Sequence, residues 1–82
     1  MTERFEYRVC QVQNSRVTFE NGVWAGNVTP ERAPAQAAFE SCPEVWVYLN
    51  RVGAEGWELV SAVTRVQEEK QVIDVLYLCR RV

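Results

Sequence analysis

Residues Phe5-Glu6-Tyr7-Arg8-Val9 alternate apolar and charged side chains, the two-residue period of a half-buried strand, and the strand pattern continues to Val12. Asn14-Ser15 interrupts it, and Arg16 to Glu20 is strand-like again. Asn21-Gly22 then precedes Val23-Trp24-Ala25-Gly26. Asn-Gly between two such runs predicts a hairpin, because both central residues of a type I′ turn need positive φ. The first third therefore reads as a β-meander, or as one long strand plus a hairpin.

Residues 27–40 lose periodicity. Pro30 and Pro34 punctuate them and alanines keep them small, so a loop or short helical turn is expected, anchored by Phe39. Beyond it, Ser41-Cys42-Pro43-Glu44 has the form of a capping box, with Pro43 in the first turn. Val45, Tyr48, Leu49 and Val52 recur at helical spacing as the buried stripe, with Trp46 at its edge. Gly53 is placed as the left-handed residue ending this helix, and Gly56 permits a second sharp turn. Trp57 to Val66 reads as a strand, Gln67-Glu68-Glu69-Lys70 as a charged loop, and Gln71 to Arg81 as the last strand. The expected fold is α+β over a single domain, residues 1–82. Three main antiparallel strands, with a hairpin inserted after the first, pack against one α-helix. The last strand is expected in the centre, between the first strand and the one starting at Trp57, because it is the most apolar.

The two C-terminal strands do not alternate cleanly. Ile73, Val75, Tyr77 and Cys79 share one face, yet Leu76 and Leu78 occupy the other. In the partner strand, Trp57, Leu59 and Val63 are expected on one face and Val60 and Ala62 on the opposite one. A sheet with one wet face alternates more sharply. One helix covers one face, so the second must be covered by residues 27–40 or by another copy of the chain.

Composition removes several functions. The chain has 82 residues, a net charge of −2 and no histidine. The adjacent basic pair Arg80-Arg81 is no basic stripe, so no nucleic-acid partner is expected. Without histidine, the usual general base and the commonest transition-metal ligand are missing. Cys10, Cys42 and Cys79 form no C-x-x-C pair, so no zinc site is expected. An odd, sparse cysteine count fits a reducing cytoplasm. The longest apolar runs, Val45–Leu49 and Val75–Cys79, are far short of the roughly 20 residues of a spanning helix. Residues 1–6 show no apolar signal core, so neither signal peptide nor anchor is expected.

The segment Leu49-Asn50-Arg51-Val52-Gly53-Ala54-Glu55-Gly56-Trp57-Glu58-Leu59-Val60 lies between a Phe5-Glu6-Tyr7-Arg8-Val9 strand and a Tyr77-Leu78-Cys79-Arg80-Arg81 strand. Together they resemble the DUF4177 family over residues 5–12 and 44–81. Residues 16–40 look like an insertion. The resemblance implies a small α+β fold. The family carries no established general activity and supplies no catalytic residues to transfer. The motif also has a plain physical account: Gly53 and Gly56 let the chain leave the helix and reverse, and Trp57 packs against the helix end.

Cys42, placed at a helix start, is the thiol with a reason to be reactive, since the dipole there favours the thiolate. Glu58 is a candidate acid, or a cross-sheet partner of Arg80 or Arg8. No catalytic pair, metal set or cofactor loop accompanies either residue, so an enzyme is the weakest reading and no cofactor is expected. The leading expectation is a non-catalytic module that associates with itself. Its candidate interface residues are Trp24, Trp46, Val60, Ala62, Leu76 and Leu78, and the structural motif residues are Ser41, Glu44, Gly53, Gly56 and Trp57. The alternative is a small-ligand binder with a pocket near Trp24, Trp46 and Tyr48.

Overall fold

The computed structural model describes residues 2–67 and 71–82. Its elements are β1 (Phe5–Gln13), β2 (Arg16–Glu20), β3 (Val23–Trp24), α1 (Ala35–Glu40), α2 (Val45–Ala54), β4 (Glu58–Gln67) and β5 (Gln71–Arg81). The strands form one sheet in the order β3-β2-β1-β5-β4, with every neighbour antiparallel. The α+β class is as expected, and β5 does lie between β1 and β4. The strand count needs correction. β2 and β3 are not a separate insert but extend the same sheet to five strands, because β2 pairs directly with β1. The charged connection expected over 67–70 lies outside the described residues from Glu68 onward.

Two tight turns build the N-terminal half. Asn21 and Gly22 both take positive φ, 49° and 82°, as the Asn-Gly pair predicts. Asn14 and Ser15 do the same at 47° and 64°. The break between β1 and β2 is therefore a second tight hairpin turn, made with a serine where glycine would be unstrained.

The helix begins differently from its sequence signature. The capping box does not form: α2 starts after Glu44, and no side chain caps it. Ser41 instead closes the preceding six-residue helix α1, its hydroxyl donating to the Ala38 carbonyl at 2.6 Å. A backbone ladder fixes the approach to α2. Val17 N–H donates to the Pro43 carbonyl and Val45 N–H to the Ser15 carbonyl. This pairing occupies the edge of β2 and displaces the expected cap.

The helix end also shifts. Gly53 lies inside α2, and Gly56 takes the left-handed position at φ 95°. Gly56 N–H donates to the Gly53 carbonyl and Trp57 N–H to the Val52 carbonyl, the two bonds of a Schellman motif. Val52 and Trp57, the two ends of its longer bond, are both in the core.

Cross-strand partners share a face, so the register sorts the sheet. Toward α2 point Arg8, Cys10 and Val12 from β1, with Leu76 and Leu78 opposite them on β5. They pack with Val17, Tyr48, Val52 and Trp57 as the core. On the other face lie Phe5, Tyr7 and Val9, beside Tyr77 and Cys79. A bulge between Leu59 and Ser61 leaves Val60 as an extra residue in β4. It reverses the expected parity: Leu59 faces Leu78 and Ala62 faces Leu76 on the helix side, while Val63 faces Val75 on the far side.

Candidate functional site

Two places gather unusual chemistry, the polar cluster under α2 and the surface of the β4–β5 hairpin.

Tyr48 is fully buried, and its stem reaches across the sheet from α2. Its hydroxyl accepts from Arg8 Nη1 and donates to Glu20 Oε2, both at 3.0 Å, with Cys10 Sγ at 3.3 Å. Arg8 also pairs with Glu20 and lies 4.4 Å over the Trp57 ring, where Arg80 lies at 4.6 Å. Arg80 in turn pairs with Glu6 and donates to the Glu55 carbonyl. Burial pushes the Tyr48 phenol and the Cys10 thiol upward, so both stay protonated at neutral pH. A neutral phenol whose neighbours are mutually satisfied fixes α2 to β1 and β2. Spacing alone did not reveal this cluster, because Arg8, Cys10, Glu20 and Tyr48 meet only through sheet pairing.

The other candidate chemistry disperses. Cys42 is not at the start of α2. It is buried between the helices, 3.8 Å from the Ala38 carbonyl, and burial raises its pKa instead of lowering it. Glu58 lies opposite Cys79 on the far face, whereas Arg8 and Arg80 pair with Glu20 and Glu6. Trp24 packs edge-on against Phe19, and its indole N–H donates to the Val28 carbonyl at 2.9 Å. Trp46 is exposed and donates to Glu44. Two grooves, of about 270 and 480 Å³, lie at Gln13–Phe39–Val72 and at Phe5–Glu58–Arg81, and neither is lined by Trp24, Trp46 or Tyr48.

Of the candidate interface residues, Leu76 and Leu78 are corrected: both are buried under α2 and offer nothing to a partner. Val60 and Ala62 are exposed on β4. The hydrogen bonds of residues 27–40 run to the β2–β3 end, through Trp24 and Arg16, and to Ser41. On the far face Ile73 and Val75 are buried, whereas Phe5, Tyr7, Val9 and Val63 are exposed, Tyr7 by 66%. In β4 every residue from Glu58 to Val66 is exposed, including Leu59, Val60, Val63 and Val66.

No family model, curated protein or solved structure matches this chain.

Among the described residues no helix is long and apolar enough to cross a membrane. What the surface can do is associate. It presents β-branched and aromatic side chains beside a free strand edge, with ionised groups only at Glu58 and Arg65 along the β4 stretch 58–66.

Proposed function

We propose that this chain is a non-catalytic interaction module that associates with a second copy of itself, and that the Gly53–Val60 motif places it with the DUF4177 family. One observation carries the reading: Phe5, Tyr7, Val9 and Val63 are exposed on the far face, and Leu59, Val60 and Val66 are exposed along the edge strand β4. Exposed apolar surface of this kind marks association sites, and uncovered sheet edges pair readily. A second copy pairing along β4 takes that edge out of water.

Size-exclusion chromatography with light scattering tests this directly. The expected result is a species of twice the 9.5 kDa chain mass at high micromolar concentration. A strict monomer there refutes self-association. Native mass spectrometry separates the ligand-binding alternative, which predicts a bound small molecule on a single chain.

A further inference from the structure

We infer that two copies join through their β4 edges, in antiparallel register about a two-fold axis at Ala62, to make one continuous ten-stranded sheet. This inference rests on the self-association proposed above and assigns it a surface and a register.

β4 ends the sheet, so among the described residues one side of its backbone has no strand partner. Its residues are exposed toward the helix side (Leu59, Ala62, Val66) and toward the far side (Glu58, Val63) alike. A partner stacked on one face covers only one of these sets, whereas a strand added alongside gives both sets cross-strand neighbours. On the N-terminal side of Asp74, β5 has no β1 partner in the register, so Val72–Ile73 pair with Arg65–Val66 alone, and there Val66 and Val72 are exposed while Ile73 is buried.

Charge selects the second copy as the occupant. In a two-fold antiparallel pair, a residue at the centre faces its own counterpart. With Ala62 at the centre, Ser61 faces Val63 of the partner chain. Val60 is the extra residue of the bulge, so the next pair is Leu59 with Thr64, and then Glu58 with Arg65. Each pair keeps to one face: Leu59 and Thr64 lie opposite Leu78 and Asp74, and Glu58 and Arg65 opposite Cys79 and Ile73. The two ionised side chains of this stretch thus meet as two opposite-charge pairs, and the small Ala62 side chains meet at the axis. The bulge, which on an edge strand usually discourages pairing, here brings the charges into line.

The test is an Ala62→Cys substitution in a Cys79→Ser background, where Cys10 and Cys42 are buried. Opposed residues in an antiparallel pair have Cα atoms about 4.5–5.5 Å apart, within disulfide range. Mild oxidation should therefore give a covalent dimer. Glu58→Lys and Arg65→Glu should each weaken dimerisation roughly tenfold, and the double reversal should restore it. A dimer by light scattering that does not cross-link at position 62, or that ignores both charge reversals, overturns the edge pairing while leaving self-association standing. A monomer overturns both.

Discussion

The two halves of this sheet differ in what surrounds an apolar side chain. Around β1, β2 and the centre of β5, the buried residues have neighbours above and beside them: α2 over Cys10, Val12 and Leu78, and the Tyr48 network across the helix–sheet junction. Along β4 the composition is as apolar, yet no residue from 58 to 66 is buried. Hydrophobic sequence alone does not make a core; a second layer does, and α2, only ten residues long, is used up over one half.

Truncations should expose that contrast most strongly. Leu78→Ala removes a side chain that is 1% exposed and should cost about 2–5 kcal/mol in chemical denaturation. Val66→Ala, at 71% exposure, should change the stability of the dilute chain by no more than about 0.5 kcal/mol. Comparable losses at both positions would mean that the β4–β5 hairpin is packed in solution.

Next in size is the polar junction. Tyr48→Phe keeps the ring but leaves Arg8 and Glu20 without the hydroxyl that joins them, a loss of about 1–3 kcal/mol. A neutral result by urea titration would show that the helix is held by packing alone.

The glycines of the helix-to-strand turn should respond with opposite signs. Gly56→Ala forces a side chain to φ 95° and should destabilise by about 1–2 kcal/mol. A Cβ at Gly53 meets nothing, and the residue is helical, so Gly53→Ala should stabilise by about 0.5–1 kcal/mol. Thermal melts of both variants distinguish this assignment from the expected one, in which Gly53 carried the left-handed turn.

The gentlest effect is alkaline. Burial raises the Cys10 and Cys42 thiols above their ordinary 9.0 and the Tyr48 phenol above 10.0, all in the better-packed half. The folded chain then holds protons that the unfolded chain releases. Their contribution is complete below about pH 9 and is lost as pH rises further. Unfolding followed from pH 8 upward should show stability declining, and Cys42→Ala should remove part of the decline. A flat profile would mean that these groups are not sequestered.

Local rules written in the residues were enough for a good deal of this molecule. The alternation in β1, the Asn21-Gly22 turn, the α2 stripe of Tyr48 and Val52, and the central place of the apolar β5 follow from side-chain period and backbone preference, which act over a few residues. Tertiary structure decided the rest, because the competing partners are distant in the chain. Pairing of Val17 and Ser15 with Pro43 and Val45 displaced the Ser41–Glu44 cap. A one-residue bulge at Val60 exchanged the faces of Val63 and Ala62, since strand parity has a period of two and any insertion inverts it. The meeting of Arg8, Cys10, Glu20 and Tyr48 depended on register, and the exposure of β4 on how little sheet a ten-residue helix can shield.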